Sequence, residues 1–258
     1  MIIGAMNHPA ENPVTEISWM AEMKLDFLDL TLEPPGASVG IIKPAEIRRA
    51  LADHGLGVIG HTAYYLPIGS PFEELRRASV EQFKRCLGAF GEIGARWMNI
   101  HPDGHAPFQD LDFINARNIQ SLQELLPVAR QCGVGLMIEN LPGKFNSVRQ
   151  LAPILDAVAE CGLHLDLGHC NLLTEKNTCD ELMAKYGDRL RHVHFHDNKG
   201  GYADLHLPLG AGNIDFPHYV RLLKKNGYDG TITLEVFSAD RHYLAHSRDT
   251  LRRLWVAA

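Results

Sequence analysis

Residues 134–167 read VGLMIENLPGKFNSVRQLAPILDAVAECGLHLDL. A short apolar run, Val134–Glu139, gives way to a polar turn, an amphipathic stretch over Ser147–Glu160 and a second apolar run, Leu163–Leu167. That is the pattern of a strand, a helix and a second, parallel strand. Working outward, the same unit recurs along the chain. Strands are predicted at Ile2–Met6, Phe27–Leu32, Leu56–His61, Trp97–His101, Arg191–His196 and Thr231–Phe237. Helices are predicted at about Thr15–Lys24, Pro44–His54, Phe72–Ile93, Asp110–Gln131, Glu175–Tyr186, Phe216–Asn226 and Arg241–Leu254. Prolines at 44, 71 and 217 mark first turns, and glycines at 55, 94, 133, 162 and 227 mark helix ends.

Eight strand–helix repeats in 258 residues predict an α/β fold of one domain, a closed (β/α)8 TIM barrel spanning 1–258. A doubly wound open sheet would need a glycine-rich dinucleotide loop after an early strand. None occurs: Gly4 is isolated, and the GAG at Gly210–Gly212 follows no predicted strand.

Composition narrows the function. Hydrophobic residues make up 45% of the chain, which excludes a disordered protein. No apolar run is long enough to span a bilayer, and the first residues lack the pattern of a secretory signal, so no membrane partner and a soluble, cytoplasmic location are expected. Five cysteines without a CxxC pair argue against a disulfide framework or a cysteine-zinc module. A net charge of −6 disfavours nucleic acid as a partner. The 14 histidines are dispersed, so their positions carry the information.

Alternation within strands is the most informative feature. In Leu163–Leu167 the leucines oppose His164 and Asp166; in Arg191–His196, Val193 and Phe195 oppose His192, His194 and His196. In the last strand Ile232, Leu234 and Val236 oppose Thr231, Thr233 and Glu235. The apolar set suits the helices, which leaves the polar set pointing into the barrel. His61, His101, Glu139, Asp166, His194 and Glu235 all fall near C-terminal strand ends, where barrel enzymes carry their sites. Carboxylates converging there repel unless a cation balances them, and carboxylates interleaved with imidazoles form the mixed N/O set that zinc, manganese or cobalt accepts. His169, Asp204 and His206 lie in the following loops and extend the set. His164 and His192 fall one layer lower, where core hydrogen bonding is expected, and His54, His218, His242 and His246 fall in helical or surface patterns. His196 shares the inward parity of His194, and the residues alone leave the two as rivals.

The segments GHTAYYLPIGSP (60–71), NIHPDGH (99–105), IENLPG (138–143), LDLGH (165–169), HFHDNKG (194–200), DLHLPLGAGNID (204–215) and LEVF (234–237) together resemble the xylose isomerase-like TIM barrel superfamily. It comprises sugar phosphate isomerase/epimerases and endonuclease IV-type abasic-site nucleases. The endonuclease IV pattern implies up to three metal ions. His61 and His101 would hold one, with Glu139 bridging to a second completed by Asp166, His194 and Glu235; His169, Asp204 and His206 would hold the third. The isomerase/epimerase branch implies one divalent ion on Glu139, Asp166, His194 and Glu235, and the resemblance thus selects His194 over His196. The expectation is one to three divalent ions per chain, Zn2+ or Mn2+.

The loop after the second strand, LEPPGASVGI, carries no arginine, and with the acidic charge this favours a small carbohydrate over a phosphate backbone. The resemblance therefore implies a metal-dependent sugar or sugar-phosphate isomerase/epimerase, with Glu139 and Glu235 moving protons through an enediolate. The alternative is a zinc-dependent abasic-site phosphodiesterase. Lys199, Asn140, Tyr64, His8 and Glu33 lie near predicted strand ends and are candidates for substrate binding. A homo-oligomer is compatible with this class of barrel.

Overall fold

Alternation of period two and helical stretches of period 3.6 produce the expected closed barrel. The structure, a computed structural model, describes residues 1–258. Its elements run β1 (Ile2–Met6), α1 (Pro13–Glu22), β2 (Phe27–Leu32), α2 (Pro44–His54), β3 (Gly57–Thr62), α3 (Glu73–Ile93), β4 (Trp97–Ile100) and α4 (Leu111–Cys132). The second half continues β5 (Gly135–Glu139), α5 (Val148–Ala157), β6 (Gly162–Asp166), α6 (Cys179–Tyr186), β7 (Leu190–Phe195), α7 (Phe216–Lys225), β8 (Thr231–Leu234) and α8 (His242–Ala257). Neighbouring strands pair in parallel in chain order, and β8 closes on β1. No helix is long and apolar enough to cross a membrane.

The strand faces separate as the alternation requires. Val134, Leu136, Ile138, Leu163, Leu165, Val193, Phe195 and Ile232 belong to the large core between barrel and helices. Each such burial contributes about 1.5–3 kcal/mol. A small inner cluster of Phe27, Ile59 and Met137, joined by Trp97, is separate from that core. Glu139, His164, Asp166, His192, His194 and Thr233 are buried on the inward faces of β5 to β8 or at their ends, so the outer core must stabilise a largely polar interior.

Boundaries differ from the sequence expectation where side chains intervene. Gly162 opens β6 instead of closing α5, because α5 already stops at Ala157, where the Arg189 guanidinium donates to the carbonyls of Leu155 and Val158 at 2.8 and 3.1 Å. The sixth helix begins at Cys179, not Glu175, its first N–H taken by Asn177 Oδ1 at 3.0 Å. His101, His196 and Glu235 lie just past their strands. Even so, the Glu235 N–H still donates to the Phe195 carbonyl at 3.0 Å, which keeps that residue in the ladder.

The segment LPLGAGNID owes its glycines to one buried carboxylate. Asp197 accepts the backbone N–H groups of Gly210 and Gly212 on Oδ2 at 2.9 and 2.8 Å, and those of Asn198 and Ile214 on Oδ1 at 2.9 and 3.3 Å. A Cβ on Gly212 would lie 2.1 Å from the Asn198 carbonyl oxygen, so no side chain fits where the loop wraps. This wrapping and the two-way bridge between Asp197 and Leu207 fix the loop that carries Asp204 and His206. Asp197→Ala would strip several buried N–H groups of their acceptor at once. It is expected to destabilise the protein by roughly 3 kcal/mol, read from urea unfolding midpoints.

Candidate metal centre

The inward residues at the C-terminal strand ends meet in one place. A cavity of about 1270 Å³ opens there, and His61, His101, Glu139, His169, Asp204, His206 and Glu235 all contribute to its wall. Asp166, His194 and His196 sit behind this lining with no exposed surface.

Glu139 ends β5 and is clamped from one side. Its Oε2 accepts from the Asn99 amide at 2.8 Å and lies 2.9 Å from His101 Nε2. His164 Nδ1 and His61 Nε2 approach the same oxygen at 3.3 and 3.8 Å. Burial would raise the Glu139 carboxyl, but the facing imidazoles of His164 and His101 hold it well below the ordinary range. Its second oxygen has only His169 Nδ1 nearby, at 3.4 Å. His61 itself is kept neutral, burial pushing it down to about 4.

Across the barrel mouth, His194 Nδ1 faces Asp166 Oδ2 at 3.7 Å and Glu235 Oε2 at 3.5 Å. All three atoms are buried and have no hydrogen-bond partner. Buried polar atoms are normally satisfied, and two carboxylates without a balancing cation cost several kcal/mol. Three such atoms converging, two of them anionic oxygens and one an imidazole nitrogen, form a donor set that fits a divalent ion. In the metal-free protein the balance falls to a proton. Burial opposes charge on His194, but Glu235 and Asp29 outweigh it and hold the imidazolium well above its ordinary pKa. Glu235 is correspondingly held low, burial being outweighed by His194 and His206.

A second group lies beside the first. His169 Nε2 and His206 Nε2 reach Asp204 Oδ2 at 3.3 and 3.2 Å. His196 stacks on His206 with centroids 4.1 Å apart and places Nε2 3.2 Å from Asp166 Oδ1. A Cβ on Gly168 would lie 2.1 Å from the His196 ring, so only glycine leaves room for it there.

The candidate substrate residues divide. Tyr64, His8 and Glu33 line the cavity. Asn140 does not: it follows Glu139 with the opposite strand parity, and its amide instead clips β6, accepting from Asp166 N at 2.7 Å and donating to Asp166 O at 3.0 Å. Lys199 is exposed on the β7–α7 loop, outside the lining. His192 and His164 are buried in the interior. His192 bonds Thr231 Oγ1 at 2.6 Å, whereas both ring nitrogens of His164 lack a hydrogen-bond partner.

Two residues that touch the proposed ligands are not among the candidates read from the sequence. Asn99 holds Glu139, and Asp29 of β2 holds His194 Nε2 at 2.9 Å. The one signal was alternation, since Asp29 and Thr31 share the inward face of FLDLTL and Asn99 shares that of His101.

A family model described as the xylose isomerase-like TIM barrel matches residues 17–254, and the chain belongs to that family. An uncharacterized protein of Methanocaldococcus jannaschii is 31% identical over 188 residues, covering 65% of this chain and 63% of that protein. The chain thus spans somewhat less than two thirds of this relative's length. Among solved structures, a D-tagatose 3-epimerase-like protein superposes with a TM-score of 0.85 at 23% identity, over 100% of this chain and 98% of its own. The IolI protein with a zinc atom bound gives 0.81 at 16% identity, over 100% and 97%.

A divalent ion at this centre would have to displace protons. Because the pKa values of His194 and His206 are raised in the folded protein, proton competition persists at neutral pH and fades only as the pH rises through those values. Affinity for Zn2+ or Mn2+ is expected to increase from about pH 6 to about pH 8, with proton release on binding. Chelator competition at fixed ionic strength measures it, and a flat profile would contradict it.

Proposed function

We propose that the protein is a divalent-metal-dependent isomerase or epimerase of sugars or sugar phosphates, working by proton transfer through an enediolate. The observation that carries this reading is the convergence of Asp166 Oδ2, His194 Nδ1 and Glu235 Oε2, all unpartnered, beside a cavity also walled by Glu139. Likeness to a D-tagatose 3-epimerase-like structure and to a zinc-bound barrel supports it.

Glu139, Asp166, His194 and Glu235 would hold the ion. When bound, the ion supplies Lewis acidity to the substrate's carbonyl and hydroxyl oxygens. The two glutamates reach the cavity from β5 and from the end of β8, three strands apart in the barrel. Both are ionised, as a general base requires. One takes the proton alpha to the carbonyl; for an epimerisation the other draws a proton from solvent and delivers it to the opposite face while the first releases its own to solvent, and for an isomerisation the first returns its proton to the neighbouring carbon. Asn99 and His101 fix one oxygen of Glu139 and leave the other facing the cavity. Tyr64 and Phe237, both exposed at the rim, offer apolar faces to a sugar ring.

The His169–Asp204–His206 group favours a second reading, an endonuclease IV-type phosphodiesterase with further ions. The charge of −6 and the arginine-free loop after β2 weigh against it.

The test is a panel of ketoses and ketose phosphates in D2O with metal-loaded protein. The expected product carries solvent deuterium at the carbon whose configuration changes, or at the carbon next to the carbonyl for an isomerisation. Glu139→Gln should lower turnover by about 10²-fold or more and reduce metal content while the barrel stays folded. Absence of exchange across the panel, together with cleavage of a duplex holding one abasic site, would overturn the isomerase reading in favour of the nuclease.

A further inference from the structure

Asp29 lies in the middle of β2, fully buried, and takes no part in the proton transfers described above. One of its oxygens, Oδ2, accepts three hydrogen bonds: from His194 Nε2 at 2.9 Å, from Thr233 Oγ1 at 2.7 Å and from His192 Nε2 at 3.2 Å. Its other oxygen has no partner. The contacts reach from β2 to β7 and β8 through the barrel interior, 163 to 204 residues away in sequence. Thr233 pairs in register with His194, so the hydroxyl that anchors Asp29 comes from the strand position beside the ring that Asp29 holds.

The geometry points to Asp29 as the positioning residue of the metal centre: it fixes the His194 imidazole so that Nε2 keeps its proton and Nδ1 faces Asp166 Oδ2 and Glu235 Oε2, where it can lose its own proton to an incoming ion and offer a lone pair. The inference rests on the proposed occupation of that donor set by a divalent ion. A histidine can present a lone pair at Nδ1 only when its remaining proton is on Nε2, and a carboxylate accepting from Nε2 enforces that tautomer and the ring orientation together. A negative charge behind the ring also makes the imidazole a stronger donor. Asp29 is thus a different kind of residue from the four proposed ligands. It never reaches the cavity wall, and its effect passes through one ring.

Its neighbours allow the charge to be separated from the shape. Because Oδ2 takes every hydrogen bond and Oδ1 takes none, Asn at position 29 can keep its oxygen toward His194 and lose the charge. Thr233→Val removes one anchor of Asp29 without touching His194 directly.

The experiment is titration of the metal-free full chain with Zn2+ against a competing chelator, on wild type, Asp29→Asn and Thr233→Val, with thermal unfolding of each metal-free form. Wild type is expected to bind. Asp29→Asn is expected to bind about 10–100-fold more weakly and Thr233→Val several-fold more weakly, with each metal-free form still unfolding in one cooperative transition, at a lower temperature for Asp29→Asn because it loses the charge facing His194. Equal zinc affinity in wild type and a folded Asp29→Asn would overturn the positioning role and leave the metal reading intact. No zinc binding by wild type would overturn both. Where Asp29→Asn does not fold, the wild type decides through the histidine resonances of ¹⁵N-labelled, zinc-loaded protein. A protonated Nε2 of His194 with a low-field proton, and a metal-shifted Nδ1, support the role; a protonated Nδ1 overturns it.

Discussion

Glu139, Asp166 and Glu235 are buried at one end of the barrel, and the need to balance their charge governs what surrounds them. An uncompensated buried carboxylate costs several kcal/mol, and on the sides away from the cavity these groups are met by imidazoles and an amide. His101 and Asn99 meet Glu139, His194 meets Asp166 and Glu235, and His206 also approaches Glu235 at 3.4 Å. The histidines do not all carry charge. His61 and His164 are held neutral, chiefly by burial, while His194, His169 and His206 take protons against their burial because carboxylates face them. The metal-free centre is a set of acids balanced by protons at positions where a dication would serve.

The scaffold keeps this arrangement from relaxing. Outward strand faces are apolar and lock the barrel to its helices. Buried amides and carboxylates then fix the polar ends: Asn140 clips Glu139's strand to Asp166, Asn146 donates to the carbonyls of His169 and Leu172 at 2.7 and 3.1 Å, and Asp197 gathers the loop bearing Asp204 and His206. Residues next to the candidate ligands in sequence therefore act on backbone, and His169 and His206 also touch it through Nδ1, at the carbonyls of Asn140 and Glu235, 2.9 and 3.1 Å away. This leaves Asp166 Oδ2, His194 Nδ1 and Glu235 Oε2 unclaimed.

Much of this was legible in the chain. Period-two alternation identified the inward faces of β5 to β8, and strand–helix repetition defined the closed barrel, because both signals are local. What escaped was non-local or set by parity. Asp29 has no motif; alternation in FLDLTL places it inward, but its partner His194 is 165 residues away, so nothing in the neighbouring sequence pairs the two. Asn140 and Lys199 drew attention by lying beside Glu139 and in the loop after His194, but one residue along a strand reverses the face, and the loop turns Lys199 to solvent. The glycines of Gly210–Gly212 suggested nothing by themselves; their reason is the carboxylate of Asp197, which lies on the other side of the loop.

Glu139, Asp166, His194 and Glu235 are proposed to enclose a divalent ion. Anomalous diffraction at the zinc edge, from crystals of zinc-loaded protein, tests it most directly. The expected result is a peak within about 2.0–2.2 Å of donor atoms from those four side chains, whether or not a further peak lies at His169, Asp204 and His206. Zinc at the second group alone, or no ordered zinc in the barrel mouth, would contradict it.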